Sequence, residues 1–159
     1  MPYASETEVP VERSRQQIEA MLRQRGCEGY ASAWSADGDR IEFAWKGLRI
    51  RFVLPKVDKA KHRHDTAGRE RKPPVWERAV TQAERVRWRG LYLVVKAKLE
   101  AVESGIATFE DEFLAYIMLP DGRTVGGWVG PQLQAAYDPD KGIMPATLPL
   151  LALEAGDDD

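Results

Sequence analysis

The stretch VWERAVTQAERVRWRGLYLVVKAKLEAVE, residues 75–103, predicts one long helix. At 1.5 Å per residue such a helix spans about 40–45 Å. A chain of 159 residues has an expected radius of gyration of only about 15 Å. The helix should therefore cross the whole domain and organise the elements around it.

A projection at 100° per residue gives this helix two faces. Opposite the apolar face lies a basic row of four residues within about 40° of one another. Arg87 and Lys98 point into the apolar face. Long basic side chains can extend from the edge of such a face to solvent, whereas one that stays buried needs a carboxylate, for which the segment 110–112 offers candidates. The predicted apolar face consists of Trp76, Val80, Ala83, Gly90, Leu91, Val94, Ala101 and Val102. The basic row consists of Arg78, Arg85, Arg89 and Lys96.

The elements before the long helix should be one helix and three strands. Apolar periodicity and end signals predict a helix from about residue 10 to residue 25, which Gly26 ends. Alternating patterns predict strands at 30–35, 40–45 and 48–54. The pair Lys46-Gly47 suits a two-residue hairpin turn, so the strands should form an antiparallel meander with one buried face.

After the long helix, two short helices are expected. Thr108 has the character of an N-cap with Asp111 three residues later, which predicts a helix over 109–118. LPDGRT is typical of a turn, and the segment 124–137 favours a second short helix. The sequence thus predicts an α+β domain over residues 1–137, followed by an extended acidic tail over 138–159.

Composition excludes several classes of protein. A single cysteine, Cys27, rules out an internal disulfide and any zinc site built from several cysteines. The first ten residues lack the basic and apolar regions of a signal peptide. The most apolar internal run, GLYLVV, is too short to cross a bilayer. These features predict a soluble intracellular protein.

Charge is distributed unevenly along the chain. Residues 56–98 carry 13 basic and 5 acidic side chains, a net charge of +8. Residues 99–159 carry 2 basic and 12 acidic side chains, a net charge of −10. Such asymmetry indicates either an internal electrostatic clamp or an anionic partner for the middle segment.

Patterns for a metal or a catalytic site are weak. His62, His64 and Asp65 are potential ligands, but side chains two residues apart in an extended loop point to opposite sides. Cys27 has no base beside it, and no phosphate-binding glycine loop is present. Acidic residues at 110–112 stabilise a helix start without any ligand. The chain is therefore predicted to be no enzyme and to hold no metal or cofactor.

The basic loop, residues 56–72, and the basic row give the strongest functional pattern. A positive groove with aromatic platforms is typical of proteins that bind single-stranded nucleic acid. The alternative, a solvated helix face that pairs with the acidic C-terminal third, remains open. The predicted contacts are Lys59, Lys61, Arg63, Arg69, Arg71, Lys72, Arg78, Arg85, Arg89 and Lys96, with Trp88 and Tyr92 as the aromatic neighbours.

Four stretches together resemble a family of short hypothetical proteins encoded by tailed bacteriophages and prophages. These stretches are VPVERSR, RFVLP, KAKLEAVESGIATFEDEFLA and LPDGRTVG, and the resemblance covers roughly residues 9–135. The resemblance implies a phage-derived protein in the host cytoplasm, and it implies no catalytic residues or mechanism. We therefore expect a phage accessory protein that handles nucleic acid, in particular single-stranded DNA. The competing hypothesis is an inhibitor or adaptor that binds a host protein and no nucleic acid.

Overall fold

The computed structural model describes residues 4–138 and Asp140, and it confirms the predicted α+β class. Nearly all of the predicted acidic tail lies outside the described residues. In chain order the elements are α1 (Val11–Gln24), β1 (Gly29–Ser35), β2 (Gly38–Trp45), β3 (Leu48–Pro55), α2 (Lys59–His62), α3 (Pro73–Glu103), α4 (Phe109–Phe113), a 3-10 turn (Leu114–Tyr116) and α5 (Val125–Ala136).

The three strands form one antiparallel sheet in the order β1-β2-β3. Lys46 and Gly47 have φ angles of 47° and 78°, as the predicted two-residue hairpin turn requires. Gly38 opens β2 with φ of 141°, and a β-carbon there would lie 2.2 Å from the carbonyl oxygen of Leu54. Only glycine therefore allows β2 and β3 to approach each other at this end of the sheet.

The core lies between one face of the sheet and the helices α1 and α3. Helix α3 buries five side chains, and the two phenylalanines of α4 close the core at one end. Each fully buried large apolar side chain contributes about 1.5–3 kcal/mol relative to exposure. The core comprises Ile18, Met21, Leu22, Ile41, Phe43, Ile50, Phe52, Trp88, Leu91, Val95, Leu99, Phe109 and Phe113.

The predicted apolar face of α3 is wrong by about a quarter turn. Val94 is 44% exposed, and no atom of another element lies within 4 Å of the place where Gly90 would carry a β-carbon. Of the predicted face only Val80 and Leu91 are buried, and the other buried residues of α3 are Trp88, Val95 and Leu99. The projection counted small residues as equal to large ones, whereas burial stabilises in proportion to apolar area.

The connection 56–73 is more ordered than expected, and the helix after Thr108 is shorter than expected. The connection 56–73 contains α2 and a tight turn, in which the amide of Arg71 donates to the carbonyl of Arg63 at 2.7 Å. Thr108 does cap α4, since it accepts from the amide of Asp111 at 3.1 Å. The α-helix predicted over 109–118 ends at Phe113, because Ile117 extends and pairs with Ile50 at the edge of the sheet.

Candidate nucleic-acid interface

Helix α2 positions the first cations of the basic loop. The carboxylate of Asp58 accepts from the amide of Ala60 at 3.0 Å and so caps this single turn. Lys59 and Lys61 lie on it with exposed side chains. No carboxylate in the described part of the chain is within ion-pair distance of either lysine.

Asp65 organises the second half of the basic loop. Its carboxylate accepts from the amides of Ala67 and Arg69, both at 2.9 Å, and from the guanidinium of Arg69 at 2.8 Å. The amide of Arg69 is the main reason that the pKa of Asp65 is below its usual value. Arg69 is thus partnered, while the turn joins the backbones of Arg63 and Arg71. Neither of these two has a carboxylate within ion-pair distance among the described residues, although the charge of Arg71 also helps to lower the pKa of Asp65.

Trp76 is an aromatic residue of this surface that the sequence analysis missed. The guanidinium of Arg63 lies 5.5 Å from the centre of its ring, in a cation–π contact between the basic loop and the first turns of α3. The indole is half-buried rather than part of the core. The apolar pattern of α3 placed Trp76 on the buried face, because a tryptophan near a helix start fits a core position as well as a surface position.

Trp88 is not an aromatic platform, contrary to the prediction. Its side chain is only 2% exposed, and its indole Nε1 donates to the carboxylate of Asp39 at 3.0 Å. The guanidinium of Arg15 covers the ring at 4.6 Å. A base has no access to this ring, so Trp88 is a core residue that joins α3 to the sheet.

Half of the basic row is already engaged within the fold. Arg89 donates to Gln17 of α1 at 2.8 Å, and its guanidinium lies 4.3 Å from the centre of the Tyr92 ring. Lys96 pairs with Glu100 one turn later at 3.6 Å. Arg78 and Arg85 have no partner among the described side chains. Only the first two members of the row are therefore available to an external anion.

The basic loop and the basic row lie on different sides of α3. Residues two apart in a helix are separated by about 200°, so Trp76 and Arg78 project in nearly opposite directions. Arg63 contacts Trp76, and Lys59 of α2 lines a cavity with Arg87, which also projects away from the basic row. Lys72, the residue before the helix, lies between the two sides. The single continuous strip that the sequence predicted is thus divided into two surfaces that meet at the start of α3.

Lys98 and Arg87, the two basic residues of the predicted apolar face, have different kinds of partner. Lys98 donates to the side chain of Glu112 at 3.2 Å and to its carbonyl oxygen at 2.7 Å, as predicted. Arg87 instead donates to the carbonyl oxygen of Pro55, at the end of β3. The carboxylate expected for Arg87 is therefore wrong, because its side chain reaches the end of the sheet rather than α4.

The basic loop contacts no acidic residue of the C-terminal third within the described chain. Ion pairs that use carboxylates beyond residue 98 involve Arg25, Lys96, Lys98 and Arg123, none of which belongs to the loop. The acidic residues at 154 and 157–159 lie outside the described residues. An internal clamp over the loop is thus absent from residues 4–138.

Other potential sites contain few chemical groups. In the part of the chain that is described, no three His, Cys, Asp or Glu side chains cluster as metal ligands would. The thiol of Cys27 lies 2.9 Å from the carbonyl oxygen of Gly29 and 3.2 Å from that of Ala44, which fits a structural contact. No described helix has the length and apolar character needed to cross a bilayer.

Comparisons with protein-family models, curated proteins and solved structures gave no match to this chain. The resemblance to phage-encoded proteins therefore stays a prediction. The function is therefore inferred from the charges and contacts of the basic loop and Trp76.

Proposed function

We propose that this chain is a non-enzymatic phage accessory protein that binds single-stranded DNA through the basic loop and Trp76, in the host cytoplasm. The observation that carries the proposal is a set of cations without counter-charges. Lys59, Lys61 and Lys72 lie within one short segment, and none is within ion-pair distance of a carboxylate of the described chain.

The position of these cations favours an external anion. Lys72 lies at the N-terminus of α3, a 31-residue helix that has no acidic side chain in its first turn, whereas Lys59 lines a cavity further along this helix with Glu84 and Arg87. The helix dipole places partial positive charge at that end, so basic residues there cost a few tenths of a kcal/mol each. A bound phosphate backbone would offset this cost through its charge alone, because Pro73 and Pro74 supply no N–H donor at the helix start.

Trp76 and Arg63 favour a single strand over a duplex. Unpaired bases stack on aromatic rings and on guanidinium planes, and both groups lie together here. In a duplex the bases are already stacked on one another and do not present their faces. Arg78 lies on the opposite side of α3 from Trp76, so the proposed strand contacts the basic loop and Trp76 rather than the basic row.

The test is fluorescence anisotropy of a labelled oligothymidylate at low salt, with wild type and Trp76→Ala. We expect Trp76→Ala to weaken binding about tenfold, since one stacked base contributes about 1–3 kcal/mol. A duplex of equal length should bind more weakly and be little affected by this change. Trp128→Ala is the matched control, because Trp128 is exposed on α5 and away from the basic loop.

Two results would contradict the proposal. If wild type fails to bind the oligonucleotide even at low salt, the host-protein inhibitor or adaptor becomes the better hypothesis. If Trp76→Ala and Trp128→Ala weaken binding equally, any binding is nonspecific and the assigned surface is wrong. Circular dichroism of both variants shows whether each remains folded.

A further inference from the structure

β1 is an edge strand without the usual protection against pairing with another strand. Its outer edge has no partner strand among the described elements. The seven residues Gly29–Ser35 include no charged side chain and no proline. Natural edge strands usually carry a charge, a proline or a bulge, because exposed backbone groups are a template for a further strand.

A large aromatic side chain is exposed beside this edge. Trp34 is 82% exposed, although it lies on the face of the sheet that packs against the helices. Its cross-strand neighbour Asp39 points to that face and accepts from the buried Trp88. The helices therefore leave the last residues of β1 uncovered on the side where the sheet is otherwise buried.

The sequence of β1 is nearly symmetric about Ser32. Ala31 and Ala33 flank it, and the aromatic residues Tyr30 and Trp34 follow on either side. In an antiparallel pair related by a two-fold axis through Ser32, small residues would meet on one face. On the other face Tyr30 would meet Trp34 of a second copy, and such aromatic pairs stabilise a sheet.

We propose that two copies of the chain associate through β1 to form a continuous six-stranded antiparallel sheet. A two-fold contact of this kind is self-complementary and closed, as in most protein dimers. A cavity of about 180 Å³ lies beside Tyr30, between α1 and the start of β1, and it is lined by Glu19, Arg23 and residues 27–30. In the proposed register this cavity is next to Trp34 of the second copy and receives its indole.

The proposed contact leaves the nucleic-acid surface free. The basic loop follows β3, which is the opposite edge of the sheet. The dimer would therefore carry its two basic loops at the far ends of the six-stranded sheet. Because the dimer contact does not use the basic loop, failure of either proposal leaves the other intact.

A charge exchange at the symmetry axis tests the proposal without nucleic acid. Ser32 is exposed, and in the proposed register it faces Ser32 of the second copy. Sedimentation velocity should show a dimer for wild type. Ser32→Lys and Ser32→Glu should each weaken self-association about tenfold or more, since like charges then lie directly opposite. An equimolar mixture of the two variants should restore the dimer.

The control is Thr81→Lys, an equal charge change at an exposed position of α3, which should leave the dimer unchanged. Trp34→Ala should also weaken association, and circular dichroism should show that it is folded. A monomeric wild type would overturn the proposal and would leave the edge available to a strand from another protein. Variants at Ser32 that stay dimeric, or a mixture that stays monomeric, would also overturn it.

Discussion

Two regions of this protein gather basic side chains, and they use them in opposite ways. On the outer face of the sheet, Arg40, Arg49 and Arg51 converge on the carboxylate of Glu42 at 4.0, 3.2 and 2.8 Å. In the basic loop, Lys59 and Lys61 have no carboxylate partner among the described residues. The sheet cluster keeps a net charge of +2, but one shared carboxylate holds its three arginines, whereas the two lysines of the loop have no carboxylate within 4 Å.

Strand register explains why the sheet cations share one carboxylate. Arg51 is directly opposite Glu42 in the β2–β3 pair, and Arg49 is diagonal to it. Arg40 precedes Glu42 by two residues and so points to the same face. Side chains of opposite charge that lie opposite one another on neighbouring strands stabilise the sheet. The basic loop has no such register, and the carboxylates of Asp58 and Asp65 are used locally: Asp58 caps α2, and Asp65 is used by the turn and by Arg69.

Removal of Glu42 should have the largest effect on stability. Glu42→Ala leaves three arginines on one face without their shared carboxylate, so we expect a loss of about 1–2 kcal/mol in the free energy of unfolding. Urea denaturation measures this loss. Lys59→Ala, which removes a charge that has no partner, is the control and should change the free energy of unfolding by less than about 0.5 kcal/mol. Equal losses would contradict the comparison.

The contribution of Glu42 should also depend on pH. Burial alone would raise the pKa of Glu42, but hydrogen bonds and charge from Arg51 and then Arg49 outweigh it, and the pKa is below its usual 4.5. The contribution is therefore fully present above about pH 4.5 and is lost as pH falls through the lower pKa of the folded state. Glu42→Gln, which resembles the protonated side chain, should be less stable than wild type at neutral pH. The difference should shrink at acidic pH, and a constant difference would mean that the carboxylate charge is not involved.

Arg87 should have a smaller effect on stability. Arg87→Ala removes a hydrogen bond to the carbonyl oxygen of Pro55 but leaves no carboxylate unpaired, so the expected loss is about 1 kcal/mol. Arg85→Ala, on the same helix, should cost less than about 0.5 kcal/mol. Chemical denaturation of both variants measures the difference. A loss of several kcal/mol for Arg87→Ala would indicate an ion pair that the structure does not show.

Local signals predicted most of the fold correctly. The strand alternation, the Lys46-Gly47 turn, the cap at Thr108 and the stop at Gly26 each depend on residues close together in sequence. The orientation of α3 does not depend on residues that are close together in sequence, because it is set by the elements that pack around the helix. Trp88 shows this: its ring is buried by α1 and the sheet, and its indole nitrogen bonds Asp39, 49 residues away.

The candidate surface was predicted only in part for the same reason. Composition identified the basic loop, and the structure places it on an exposed short helix and a turn. Whether each cation has a partner could not be read from composition, since Gln17 of α1 engages Arg89 and the turn of Asp65 engages Arg69. The contact between Trp76 and Arg63 depends on how the loop returns to α3, and no local pattern encodes that path.

The unpaired cations of the basic loop, rather than the overall charge, should bind the nucleic acid. The most direct test is the salt dependence of oligonucleotide binding for two variants that each remove two positive charges. One is Lys59→Ala with Lys61→Ala, and the other is Arg40→Ala with Arg49→Ala. The slope of log affinity against log salt changes by about 0.7 per phosphate contact with single strands. We predict that the loop variant binds more weakly with a slope about 1.4 units shallower, while the sheet variant behaves as wild type. Equal changes of affinity and slope in the two variants, or no change in the loop variant, would show that the unpaired cations of the loop do not determine binding.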